Sequence, residues 1–133
     1  MSNKAFNQSA STSTALKYTS LGLRLIAALV FLAAGGAKLA GVPMMVEIFE
    51  HIGLGQWFRI ATGLIEISAA VALFIPVTIG LGGLLLAITM CVAIFTHLFV
   101  IEGRPVPAIL LLLITASIAW LHRDSTLSLI RRV

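Results

Sequence analysis

Four long apolar runs, divided by short polar breaks, organise the chain. They are Leu21 to Ala40, Phe58 to Val77, Ile79 to Ile101 and Pro105 to Leu121. Each has about 17–23 residues, the length a helix needs to cross a hydrocarbon core of roughly 30 Å. A backbone in lipid must satisfy its own hydrogen bonds, so helix is the required state. Strict alternation of apolar and polar positions is missing, which excludes a transmembrane barrel. The pattern therefore predicts an all-α fold, an integral membrane four-helix up-down bundle over residues 20–122. Residues 1–19 are rich in Ser, Thr, Asn and Ala, show no apolar period, and are expected to be a disordered tail. Residues 123–133 read as a basic C-terminal tail.

The breaks carry their own signals. Pro76-Val77-Thr78 predicts a tight hairpin between the second and third helices, and Glu102-Gly103-Arg104 separates the third from the fourth. Pro105 and Pro107 suit a first helical turn, where a missing N–H costs least. The longest break runs from Gly41 to Trp57. Pro43 can open a short interfacial helix there, Gly53 and Gly55 can end it, and Trp57 then sits at headgroup level.

Composition agrees with a membrane solvent. Hydrophobic residues make up 59% of the 133 and charged residues 11%. Soluble domains average roughly 45–50% and about 25%, and a soluble chain of this size has too little interior to hide the excess. With Cys91 as its single cysteine, the chain can form neither an intrachain disulfide nor a dithiol or thiolate zinc centre of its own. His51, His97 and His122 are not at metal-ligand spacing, so no metal is expected. The net charge of +4 gathers near the chain ends, in Lys4, Lys17, Arg24, Arg123, Arg131 and Arg132. That distribution fits membrane orientation, with both termini cytoplasmic, and not nucleic-acid binding.

Of the ionisable residues inside the apolar runs, Arg24 and Arg59 stand near the start of theirs, and three others call for weighing: Lys38, Glu66 and His97. A charge at mid-bilayer costs on the order of 2.5–3.5 kcal/mol on insertion scales, so each needs a reason. In an up-down bundle Lys38 and His97 lie near the same end of their helices. Glu66 lies roughly 12 Å in from Phe58 at the helical rise per residue. All three fall in one half of the membrane, with Arg59 and Arg104 at its mouth. Small neighbours at helical spacing, Ala34 and Gly35, Thr62 and Gly63, and Ala93, leave room for pairing. The expectation is a Lys38–Glu66 ion pair with His97 nearby. Plainer readings stand beside it: Lys38 snorkelling to the headgroups, His97 as a structural histidine, Glu66 as an interhelical lock held by Lys38 or Arg59.

The stretch from Arg24 through Gly35-Gly36-Ala37-Lys38-Leu39, then Gly63-Leu64-Ile65-Glu66, then Ala93-x-x-Thr96-His97, then prolines opening a fourth helix, resembles the DoxX-like family. The likeness runs from about Leu21 to Leu121. It implies a small four-helix protein of the bacterial inner membrane. Some family members are linked to quinone-dependent thiosulfate oxidation or to assembly of redox complexes, and distant relatives act as membrane cargo receptors or chaperones.

Two functional readings follow. In the first, the protein is a quinone- or lipid-associated accessory subunit of a membrane redox system. Lys38 and His97 would bind the ligand, Glu66 would relay protons, and Arg59 would sit at the site. No covalently held cofactor is expected, and electron transfer would need an oxidoreductase partner carrying its own redox centre. In the second, it is a non-enzymatic scaffold or chaperone that binds partner transmembrane helices. A homo-oligomer is compatible with either. A small-solute transporter has less support, because four helices without evident internal repeats offer little machinery for alternating access.

Overall fold

The computed structural model describes residues 2–133. The expected all-α class holds: among the described residues there are six helices and no strands. They are α1 (Ser2–Ala40), α2 (Pro43–Ile52), α3 (Gln56–Ala72), α4 (Ile79–Phe99), α5 (Val106–Leu121) and α6 (Arg123–Arg132). The four expected long helices correspond to the apolar part of α1 and to α3, α4 and α5; α2 is the short helix expected after Pro43, and α6 is additional.

Among the described residues two helices, α1 and α4, are long and apolar enough to cross a membrane. A third span arises if α5 and α6, bent by 63° where they join, are counted as one. The shortfall from four has a local cause in α3, which ends at Ala72 and not at Val77. Pro76 has no N–H to continue the ladder and pushes Ile75 away from helical backbone angles. The chain tightens instead: the Leu73 and Phe74 N–H groups reach back three residues to the carbonyls of Ala70 (3.2 Å) and Val71 (3.0 Å). The Thr78 hydroxyl then donates to the Ala72 carbonyl at 2.9 Å.

The polar residues 2–19, expected to be disordered, continue α1 as a helix, and the described side chains among them are exposed. Before Gly22 this stretch contains neither glycine nor proline. A helix nucleated in the apolar span propagates at little cost through Ala5, Gln8, Ala15, Leu16 and Lys17. At 39 residues α1 is about 58 Å long, close to twice a hydrocarbon core.

The break from Gly41 to Trp57 folds as its sequence predicts. Pro43 occupies the first turn of α2, and Gly53 ends the helix with a positive φ of 81° while donating its N–H to the Phe49 carbonyl at 3.3 Å.

Packing is built from small residues. The core joins Ala27, Ala28 and Phe31 of α1 to Ala69, Ala70 and Leu73 at the end of α3, and extends through Leu86 and Met90 of α4 to Ala108 and Ile118 of α5. α1 lies along α3, α3 against α4, α4 against α5, and α5 touches α1 again. α1 and α3 are antiparallel: Arg24 meets the Leu73 carbonyl, whereas Lys38 meets Glu66. They approach tightly at Gly35 and Gly63, where a Cβ on Gly35 would stand 2.8 Å from Ile67 Cγ1 and 3.0 Å from the Gly63 carbonyl oxygen. Leu25, Ile26 and Leu29 of α1, Leu64 of α3, Ile88 of α4 and Leu110 of α5 remain exposed, a surface suited to lipid.

Candidate functional site

The close approach of Gly35 and Gly63 sets up the polar site. Lys38 follows Gly35 by three positions and Glu66 follows Gly63 by three. Helical side chains tilt toward the N-terminus of their own helix, and α1 and α3 run in opposite directions, so these two lean toward each other. Lys38 Nζ lies 2.9 Å from Glu66 Oε2. The side chains are 12% and 3% exposed, so this is an interior ion pair.

The pair lies in the wall of a mostly apolar cavity of about 540 Å³. α1, α3, α4 and α5 all contribute to it, and α2 covers part of it with Met45, Ile48 and Phe49. His97 lines the same cavity from α4. Its Nδ1 is 2.7 Å from the Ala93 carbonyl oxygen, one turn earlier. Three threonines complete the polar lining: Thr62, Thr89 and Thr96.

The structure thus brings Lys38, Glu66 and His97 to one cavity, with direct contact between the first two. Arg59 is elsewhere. It donates from Nη1 to the Lys38 carbonyl at the end of α1, and from Nε to Gln56 Oε1 at 2.6 Å. Gln56 in turn donates to the Val46 carbonyl of α2 at 3.1 Å. Arg59 therefore straps α1, α2 and α3 together, and its cation sits where the carbonyls of a helix C-terminus favour it.

A second polar cluster, at the opposite end of the helices, went unnoticed in the sequence. Ser20 Oγ and His122 Nε2 are 2.6 Å apart. Arg24 donates to the Leu73 carbonyl at 3.2 Å, and its Nε is buried without a hydrogen-bond partner. Burial, reinforced by the positive charge of Arg24, pushes the pKa of His122 below the usual histidine value. The separation of 102 residues between Ser20 and His122 left no local pattern to read. Among the described residues no group of His, Cys, Asp and Glu could hold a metal ion.

The DoxX-like family model matches residues 22–120, a range that holds both the glycine contacts and the buried Lys38–Glu66 pair. The chain belongs to the DoxX-like family. The match takes in the apolar part of α1 and all of α2, α3 and α4, and ends within α5, so the cavity lies inside the DoxX-like region. The chain is also similar to the uncharacterized protein YdgD of Bacillus subtilis (strain 168), with 37% identity over 76 residues. That similarity covers 53% of this chain and 66% of YdgD, a little under two thirds of its length. No solved structure matches the chain significantly. Family membership and the apolar helices are together consistent with a membrane protein.

Proposed function

We propose that this DoxX-like protein crosses a bacterial inner membrane as a four-helix up-down bundle of α1, α3, α4 and α5, and that its cavity holds a quinone or a lipid of similar shape. It would then serve as an accessory subunit of a membrane redox system. The observation that carries this reading is the cavity itself: apolar walls with a few polar groups among them, the Lys38–Glu66 pair and His97 included. Ligand sites of this kind use apolar walls for affinity and a small number of polar groups for orientation. An isolated structural ion pair needs no space beside it.

The remaining features fit the same picture. A turn as short as residues 73–78 leaves α3 enough apolar chain to cross with its flanking residues. α2 and α6 lie at opposite ends of the bundle as interfacial helices. The basic residues at the α6 end, Lys17, Arg123, Arg131 and Arg132, favour cytoplasmic termini. The protein supplies binding and orientation for the ligand, and a partner oxidoreductase subunit supplies the electrons.

The test is chemical. Protein purified in mild detergent from its native membrane is extracted with organic solvent and quinones are measured by mass spectrometry. The control carries Lys38→Met and Glu66→Gln together. Quinone in an equimolar amount, lost in the control, is the expected result. Background quinone in both preparations would overturn the reading and leave a scaffold that binds partner helices.

A further inference from the structure

The polar side chains of the cavity differ in what they still have to offer a ligand. A threonine hydroxyl has one proton, and each lining threonine directs it to its own helix: Thr62 to the Phe58 carbonyl (2.8 Å), Thr89 to Leu85 (2.9 Å) and Thr96 to Val92 (2.9 Å). His97 behaves likewise. Its Nδ1 faces the Ala93 carbonyl oxygen at 2.7 Å, and a carbonyl can only accept, so Nδ1 carries the proton. In the neutral ring Nε2 is then an acceptor, and no group among the described residues bonds to it. Glu66 receives Lys38 on Oε2, while no described group donates to Oε1. Among these side chains, Lys38 keeps further N–H bonds.

The side-chain inventory is therefore several acceptors and one cationic donor. We infer that the cavity selects an amphipathic ligand whose head group presents a hydroxyl, so that a quinol binds in preference to the matching quinone. The inference rests on the reading of the cavity given above and refines it. A quinone carbonyl can accept from Lys38 but offers nothing to His97 Nε2 or Glu66 Oε1. A hydroxyl does both: it donates to one of these acceptors and accepts from Lys38. An ammonium donor is disfavoured by the Lys38 charge in the same wall. Acceptors that a bound ligand covers and leaves unmatched are what make the quinone the weaker ligand.

The experiment compares a benzoquinol and a benzoquinone with the same alkyl tail. Each is titrated anaerobically into detergent-solubilised full-length protein and read by native mass spectrometry, with wild type and His97→Phe in parallel. The quinol is expected to bind wild type about tenfold more tightly, the factor that corresponds to one unmatched polar group. His97→Phe is expected to remove most of that preference. Equal or tighter quinone binding in wild type would overturn the inference while leaving the cavity reading intact. Binding of neither compound would overturn the cavity reading itself. A preference that survives His97→Phe would remove His97 from the assignment. The wild-type comparison needs no variant to fold.

Discussion

Breaking the Lys38–Glu66 pair from one side should harm the protein far more than removing both charges. The carboxylate is 3% exposed and its partner ammonium stands 2.9 Å away. At an effective dielectric of about 20, unit charges at that separation attract by roughly 6 kcal/mol, a gross figure that desolvation of both groups largely offsets. Lys38→Met leaves an uncompensated carboxylate in the interior, which costs about 3–5 kcal/mol in comparable buried pairs. Glu66→Gln strands the ammonium, although Lys38, near the end of α1, relieves part of that by reaching toward the headgroups. The double variant Lys38→Met/Glu66→Gln removes both charges with similar side-chain volumes, and is expected within about 1–2 kcal/mol of wild type. The assay is reversible unfolding in detergent followed by far-UV circular dichroism, arranged as a double-mutant cycle. The expected coupling is about 3 kcal/mol or more. Additive effects would refute the reasoning, because they would mean that the two groups do not depend on each other.

Two further outcomes follow from the packing and the second cluster. Gly35→Val should separate α1 from α3, because its Cβ would lie 2.8 Å from Ile67 and 3.0 Å from the Gly63 carbonyl, and overpacking of this kind costs about 1–3 kcal/mol. A drop in unfolding midpoint of that size checks it, and an unchanged midpoint would mean that the helices have room to spare. His122 gives a pH signature: its folded pKa lies below the ordinary value of 6.5, so the unfolded chain binds the proton more readily. Its contribution to stability is therefore complete above about pH 6.5 and is lost as the pH falls below that value toward the folded pKa. Midpoints measured from pH 7.5 to 5 should fall more steeply for wild type than for His122→Gln, and parallel slopes would exclude His122 as the cause.

The apolar runs made the helical class legible, because lipid-length hydrophobic stretches have few other ways to fold. Depth along antiparallel helices also put Lys38 and Glu66 within reach of each other, and the glycine three positions before each was visible as the means of close approach. What stayed hidden depended on neighbours or on local competition. Pro76 ends α3 early by forcing a turn whose hydrogen bonds include the Thr78 side chain, so the second apolar run overstates its helix. Residues 2–19 are polar enough to read as disordered, yet they inherit helix from the span they precede. Arg59 looked like a partner for Glu66 by sequence distance, but one turn at the start of α3 aims it at the end of α1. Ser20 and His122 meet because both chain ends of the bundle close on the same side, which no local pattern announces.

The role of the threonines follows from the same solvent argument that fixed the fold. In a helix surrounded by apolar groups, a hydroxyl without an outside partner donates back to the carbonyl four residues earlier. Thr62, Thr89 and Thr96 do so, and His97 does the equivalent through Nδ1. Each such bond satisfies a donor that would be costly to bury unpaired, and each leaves the side chain with acceptor capacity only. A pocket built on membrane helices is thus biased toward accepting protons in hydrogen bonds, unless a lysine or arginine is brought in. Lys38 is such a residue here, and Glu66 holds it at the cavity wall without neutralising its remaining N–H bonds. In the proposed site the ion pair then has a chemical consequence beyond stability: it keeps a donor in the same cavity wall as acceptors, the combination that one hydroxyl group can satisfy at once.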